Sequence, residues 1–178
     1  GEHVAPTVEV TEESDLDGVA RLAEEIAANG MPVNVQLDAE VADAISLGAL
    51  AAFADGVRVR TDDLDRARDI RSELRELAAS NGRSVRVFGE LGIVISGSMR
   101  AANERALLVA DMAGAPLFQG KASVVGTVSD VADAFERWIG TGAADGLIFL
   151  PASLPTDLAS LIRGVVPLLS ARAQIEAA

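Results

Sequence analysis

The chain has 178 residues, 49% of them apolar, and its 27 acidic against 15 basic residues give a formal net charge of −12. This length is enough for one domain with a buried core, and the negative charge disfavours nucleic acid, whose phosphates attract Lys and Arg. Cysteine is absent, which excludes disulfides, thiolate nucleophiles and Cys-ligated zinc, and the single histidine, His3, is the one candidate base for a Ser-His-Asp triad.

Strands and helices are predicted to alternate along the chain. The first strand is a β-branched run, and apolar residues at helical spacing follow it, after Ser14 as the predicted N-cap. The same alternation recurs, with about five strands in all. Strands are predicted over residues 7–10, 32–37, 57–60, 85–96 and 146–150. Helices are predicted over residues 16–27, 39–54, 61–80, 98–112 and 129–141, and from residue 155 onward.

Two segments depart from regular periodicity. Residues 113–125 show no period and are interpreted as one long connection, of the kind that is often functional or mobile in compact domains. Pro167 lies inside the last predicted helix, near Gly164, and is expected to kink it because proline lacks the N–H that the helix needs.

The alternation predicts an α/β fold with parallel strands, since parallel neighbours require helical crossovers. A complete (β/α)8 barrel takes about 250 residues and at least roughly 200, so a single domain over residues 1–178 with about five parallel strands is predicted to be a partial barrel. Its open strand edges would invite pairing, which predicts a homo-oligomer that covers them.

No run approaches the ~18 uninterrupted apolar residues of a membrane span, and the first residues lack the pattern of a secretory signal. We therefore expect a cytoplasmic protein that does not bind membranes.

The second half of the chain resembles the bacterial luciferase-like flavin monooxygenases, in the branch of the nitrilotriacetate and long-chain alkane monooxygenases. Residues 124–133 (VVGTVSDVAD) are similar to the V-G-T/S-P-E-x-V-A-D helix start of this family, and residues 142–151 (GAADGLIFLP) to its last strand, G-A-A-D-G-F-x-L. Residues 165–169 (VVPLL) match its usual ending, and residues 32–36 (PVNVQ) are similar to its P-V-I-V-Q strand.

This resemblance implies a (β/α)8 flavin-dependent oxygenase that uses O2 and reduced FMN supplied by a separate flavin reductase. It covers residues 32–178 and corresponds to the C-terminal half of the family pattern. Residues 1–31, a leading βα unit, have no counterpart in the family.

The flavin-binding turn implied by this match is Asp38, Ala39 and Glu40. After the matching strand the family has small residues, often Gly and Ser, that receive the flavin phosphate at a helix N-terminus. Here the repulsion between each carboxylate and each phosphate charge would be roughly 3 kcal/mol at ~5 Å and an effective dielectric near ~20. This repulsion equals or exceeds the stabilisation that one helix N-terminus gives to an anion. The turn is therefore predicted to cap a helix, and FMN binding by this chain is left open.

Other candidate residues have two interpretations each. The carboxylates at predicted strand ends could form a cation site or an acid/base pair, but helix capping is favoured, and no metal site is predicted. Lys121 could contact an anion, although a solvated loop lysine is the favoured interpretation. The aromatic residues are interpreted as core in preference to a flavin-stacking set, and His3 as a terminal residue. The carboxylates are Glu12, Glu13, Asp38, Glu40, Asp62 and Asp63. The aromatics are Phe118, Trp138 and Phe149.

Two functions follow. The first is an FMN-dependent monooxygenase relative that is incomplete or inactive on its own. The alternative is a non-catalytic truncated-barrel subunit or interaction module that acts as a homo-oligomer.

Overall fold

The computed structural model describes residues 6–178, so His3 lies outside the described residues. Six strands and eight helices alternate along this part of the chain. The strands are β1 (Thr7–Glu9), β2 (Asn34–Asp38), β3 (Gly56–Arg60), β4 (Arg86–Ile95), β5 (Ser123–Gly126) and β6 (Gly146–Pro151). The helices are α1 (Asp15–Ala28), α2 (Ala39–Ala44), α3 (Leu47–Ala51), α4 (Leu64–Ser80), α5 (Met99–Ala113), α6 (Val128–Gly140), α7 (Thr156–Ser160) and α8 (Val166–Ala177).

The strands form one sheet in the order β1-β2-β3-β4-β5, and β6 pairs with β4. All four pairs along this path are parallel, which confirms the predicted α/β class with parallel strands. Strand β5 is not among the five predicted strands. It lies largely within residues 113–125, which were predicted to be an irregular connection. It has only four residues and is recognisable by its pairing with Gly92–Ile95 of β4, which no local period can reveal.

The described chain divides into two compact units. Unit 1 extends to Gly89 and includes Thr141–Gly146, and unit 2 contains Glu90–Gly140 and Leu147–Ala178. Strand β4 belongs to both: it pairs with β3 through its first four residues and with β5 through its last four.

The core of unit 1 lies between one sheet face and its helices. Val35 and Leu37 of β2 and Val57 and Val59 of β3 are at most 1% exposed and pack in one cluster with apolar residues of α1, α3 and α4. Because successive strand residues point to opposite faces, the residues between these four point away from the helices.

Two Ala-Asp-Gly segments of unit 1, residues 54–56 and 144–146, make the same set of hydrogen bonds to a valine of another segment. The N–H of Asp55 donates to the Val33 carbonyl (2.9 Å), and its carboxylate accepts the Val33 N–H (2.8 Å). Asp145 does the same with Val87, at 2.7 and 2.8 Å. Each carboxylate also pairs with an arginine, Asp55 with Arg83 and Asp145 with Arg71. The glycine of each segment is the first residue of a strand, β3 or β6.

The core of unit 2 is built on the second half of β4. Leu91, Ile93 and Ile95 pack with Val131 and Ala132 of α6, all at most 3% exposed. On the neighbouring positions of the strand, the ring of Phe118 lies directly over Gly92, where a Cβ would be 2.3 Å from the ring. Phe118 has a φ of 54°, so the connecting loop adopts an unfavourable backbone conformation to place this ring.

Three predicted helix starts or spans differ in the structure. Residues 39–54 form two helices because Ile45 and Ser46 are extended, and the Ser46 hydroxyl caps the second helix by accepting the Ala49 N–H. Helix α4 is capped by the Asp63 carboxylate and not by Thr61. Ser14 makes no side-chain cap on α1.

The last predicted helix consists of α7 and α8, which an irregular turn joins. Between α7 and α8, residues Leu161–Val165 form a wide turn in which the Val166 N–H donates to the Leu161 carbonyl. Pro167 follows this turn, and a proline has no backbone N–H to donate to a helix carbonyl.

Among the described residues, Thr156–Ala177 is the one helix whose length and composition would let it cross a membrane. Its most apolar 18-residue stretch has a mean hydropathy of 1.2 and is 6% buried.

Replacing Gly92 by Ala should destabilise the protein by about 1–3 kcal/mol, because the new methyl group would overlap the Phe118 ring. Urea unfolding followed by circular dichroism measures the change. The matched control is Gly97→Ala, where nothing lies within 4 Å of the new Cβ, and we expect little effect. Equal stability of the two variants would show that the ring can move aside at no cost.

Candidate functional site

Unit 1 has a polar sheet face, which we define as the strand side chains of β1–β3 that point away from the core. They alternate with the buried apolar residues and are exposed or half-buried. The face consists of Glu9, Asn34, Gln36, Asp38, Arg58 and Arg60. The interior of a complete (β/α)8 barrel is filled largely by branched apolar side chains, so a face of this composition indicates contact with water or with a polar ligand.

Arg60 is the centre of this face at the carboxyl ends of the strands. Its Nε donates to Asp38 Oδ1 (2.7 Å), and its Nη2 donates to Glu9 Oε1 (2.5 Å). Burial acts to lower the pKa of Arg60, but the hydrogen bonds that it donates to Glu9 and Asp38 outweigh this effect and raise that pKa. The guanidinium is therefore a permanently charged group held by two carboxylates from neighbouring strands.

The Asp38–Glu40 turn, which the family resemblance matches to a flavin-phosphate turn and which was predicted to cap a helix, lies beside this arginine. Asp38 makes no side-chain cap on α2, and its carboxylate is directed to Arg60 instead. Ala39 is buried, its carbonyl accepts a hydrogen bond from Arg66 Nη2 (3.3 Å), and Glu40 is exposed. Helix α2 has only six residues, so its dipole offers little to an anion.

The other carboxylates have structural contacts in several cases. Asp63 caps α4, Glu13 accepts the Ser46 N–H at 2.7 Å, and Glu12 accepts the Ser14 hydroxyl at 2.7 Å. No group of three or more potential metal-ligating side chains occurs within residues 6–178. Of these three, only Asp63 caps a helix as predicted from the sequence, whereas Glu12 and Glu13 bind Ser14 and Ser46.

Lys121 has a partner that the sequence analysis missed. Its ammonium lies 3.9 Å from Oε2 of Glu90, which is 1% exposed on β4. The available signal was a glutamate inside the longest apolar strand of the chain, since buried carboxylates are normally paired. This pair lies within unit 2.

The aromatic candidates occupy packing positions. Trp138 of α6 is 4% exposed, and the ring of Phe149 stacks on Phe135 with centroids 6.3 Å apart. Phe118 covers Gly92. The interpretation as core side chains agrees with these contacts.

A buried ion pair holds the carboxyl end of β4 in unit 2. Asp157 is 0% exposed and accepts two hydrogen bonds from Arg105, at 2.5 and 3.1 Å, and the N–H groups of Ile95 and Ser153. Burial acts to raise the pKa of Asp157, but the hydrogen bonds from Arg105 and the two N–H groups hold it below its usual 3.8. Since every oxygen is occupied, this carboxylate is structural and does not serve as a proton donor.

No family model matches the sequence, and no curated protein sequence matches it. Solved structures do match its fold. The EDTA monooxygenase from Chelativorans sp. BNC1 has a TM-score of 0.59 and 18% identity over 71% of this chain and 42% of that one. A long-chain alkane monooxygenase has a TM-score of 0.61 and 17% identity, over 78% and 41%. A riboflavin lyase, solved with modified FMN and riboflavin, has a TM-score of 0.61 and 15% identity, over 81% and 44%.

The predicted resemblance to the luciferase-like monooxygenases is confirmed at the level of fold. This chain spans less than half the length of each of these three proteins. At such identities the likeness establishes architecture, and residues must establish chemistry.

Replacing Asp157 by Asn should destabilise the fold by about 3 kcal/mol, because it leaves the Arg105 guanidinium without its buried counter-charge. Asp133→Asn is the control: its pair with Arg172 is exposed and contributes about 0–1 kcal/mol. Urea unfolding at neutral pH measures both.

The pH dependence is a second test of the same pair. The folded pKa of Asp157 lies below 3.8, so the pair stabilises the protein above about pH 4 and this contribution is lost as the pH falls through the folded pKa. The acid slope of stability should be shallower for Asp157→Asn than for the wild type, and identical slopes would contradict this role.

Proposed function

We propose that this chain forms part of a luciferase-like flavin-dependent oxidoreductase and is incomplete as a catalyst by itself. The support is the fold it shares with the EDTA and long-chain alkane monooxygenases above, together with the fraction of their length that it spans. The corresponding reaction would be monooxygenation with O2 and reduced FMN delivered by a separate flavin reductase. The remaining walls of the flavin site would then come from residues beyond those of this chain.

The observation that supports the incompleteness of the flavin site is the pairing of Arg60 with Glu9 and Asp38. A phosphate at this turn would meet Glu9, Asp38 and the nearby Glu40. The two arginines beside the turn already donate to carboxylates, Arg60 to Glu9 and Asp38 and Arg66 to Asp43. Each carboxylate would oppose each phosphate charge by roughly 3 kcal/mol at ~5 Å and a dielectric near ~20. The residues present do not fit a flavin phosphate, and no catalytic step is assigned to them.

The alternative is a non-catalytic, cytoplasmic subunit or interaction module that acts as a homo-oligomer. Two features support it. Strand β1 lies at the end of the sheet order, and exposed edges favour pairing with another chain. Helix α5 of unit 2 carries apolar side chains that are 69% (Leu107), 59% (Leu108) and 77% (Met112) exposed.

A titration with FMN tests the first proposal. We expect no saturable binding of oxidised FMN by the full chain below about 1 mM, followed by flavin fluorescence and visible absorbance. The double variant Asp38→Ser/Glu40→Ser should bind FMN at least about tenfold more tightly, because it removes two repulsive charges. Glu24→Ser/Glu25→Ser, on the exposed face of α1, is the control with the same change in net charge. Micromolar binding by the wild type would contradict the proposal.

The association state tests the alternative. Analytical ultracentrifugation at about 10–100 µM should show a dimer or larger species. Leu107→Lys/Met112→Lys should weaken it if α5 is the interface, whereas Ala101→Lys, exposed on the same helix, should leave it unchanged. A stable wild-type monomer would overturn the alternative.

A further inference from the structure

Unit 1 contains a surface cavity whose charge is opposite to that of the rest of the chain. It has a volume of about 440 Å³ and lies between the end of α4 and the start of β4. Its polar lining consists of Arg75, Arg83, Ser84, Arg86 and Asp145, and we call it the arginine cavity.

The arginine cavity lies at the amino ends of the strands. Arg86 is the first residue of β4 and pairs with Gly56, the first residue of β3, whereas Arg60 is the last residue of β3. Because β3 and β4 are parallel, Arg86 and Arg60 mark opposite ends of the sheet in unit 1. The cavity is therefore separate from the turn that the family resemblance assigns to a flavin phosphate.

Two of its three guanidiniums have no hydrogen-bond acceptor. Among the described residues, nothing accepts a hydrogen bond from the side chain of Arg75, and Arg86 contacts only the ring of Phe88, 5.3 Å from its centroid. Arg83 donates to Asp55 at 3.1 Å through Nη2, but its Nε is buried with no partner. Strong charged donors are thus available in one place.

The one acid that lines the cavity, Asp145, is hydrogen-bonded to Arg71, and the charges of Arg71 and Arg75 both act to lower its pKa. Asp145 accepts two hydrogen bonds from Arg71, at 2.7 and 3.0 Å, and one from the Val87 N–H at 2.8 Å. Burial acts to raise its pKa, but these hydrogen bonds hold the pKa below the usual 3.8, so it stays ionised and paired. When the paired groups Arg71 and Asp55 are included, four arginines face two carboxylates, which leaves an excess of about two positive charges in a chain of net charge −12.

We propose that the arginine cavity binds the dianionic phosphate group of a small phosphate monoester. Guanidinium groups donate paired N–H bonds that match phosphate oxygens, and two excess charges match a dianion. The Ser84 hydroxyl supplies a further donor, and Val85 supplies an apolar wall. The volume lies within the usual ~300–1,000 Å³ of ligand sites, so a phosphate with a small organic group has room.

The first test uses glycerol 3-phosphate as the probe with the full chain. Amide resonances of Ser84, Val85 and Arg86 should shift saturably at millimolar or lower concentrations. The affinity should be higher at pH 7.5 than at pH 5, because a phosphate monoester becomes a dianion near about pH 6. Sulfate, a dianion at both pH values, should show a smaller pH effect. Absence of saturable shifts at about 10 mM would overturn the proposal.

The second test uses arginine variants whose folding is not at risk. Arg75→Gln and Arg86→Gln remove side chains without protein hydrogen bonds, and each should weaken binding about tenfold. The matched control is Arg100→Gln, which removes the same charge at a side chain 90% exposed on α5 and should change the affinity less than about twofold. Equal losses in all three variants would show non-specific charge attraction and would also overturn the proposal.

Discussion

The alternation of residues along β2 and β3 is the constraint on which the rest of unit 1 depends. One set of positions, Val35, Leu37, Val57 and Val59, packs against the helices and forms the core. The positions between them carry polar and charged groups that cannot form the dry interior of a closed barrel. The same two-residue period that builds the core therefore also determines where charge accumulates, and it places Arg60 and Asp38 on neighbouring strands with their side chains on one face.

Arginine supplies nearly all the positive charge of this chain, since Lys121 is the only lysine among 15 basic residues. Most of the arginines that pair within unit 1 hold a carboxylate at a strand end or a helix start: Arg60 with Asp38, Arg83 with Asp55, Arg71 with Asp145. Such pairs use the planar guanidinium to position backbone through the carboxylate. Among the described residues, neither Arg75 nor Arg86 donates a hydrogen bond to a carboxylate, so their charges make the arginine cavity positive in an otherwise acidic chain.

The fold of this chain and the charges at its candidate sites lead to different expectations about flavin binding. The chain shares its fold with less than half of the EDTA monooxygenase and of the long-chain alkane monooxygenase, and the proposed role in flavin chemistry rests on that likeness. The residues at the expected phosphate turn carry the wrong charge for it, while the positive cavity lies at the other end of the strands. A shared fold does not by itself provide a phosphate site, because phosphate binding depends on a few side chains that the packing of the core does not constrain.

The sequence by itself determined the alternation of strands and helices apart from β5, the parallel α/β class and the unfavourable charge of the Asp38–Glu40 turn. Each of these depends on local period, capping or adjacent charge. Only the tertiary structure revealed β5, the break at Ile45 and Ser46, and the pairs Glu90–Lys121 and Arg105–Asp157. Arg105 and Asp157 are 52 residues apart, and Arg75 and Arg86 lie on different elements. Contacts between distant residues depend on how the elements pack, and no period along the chain encodes that packing.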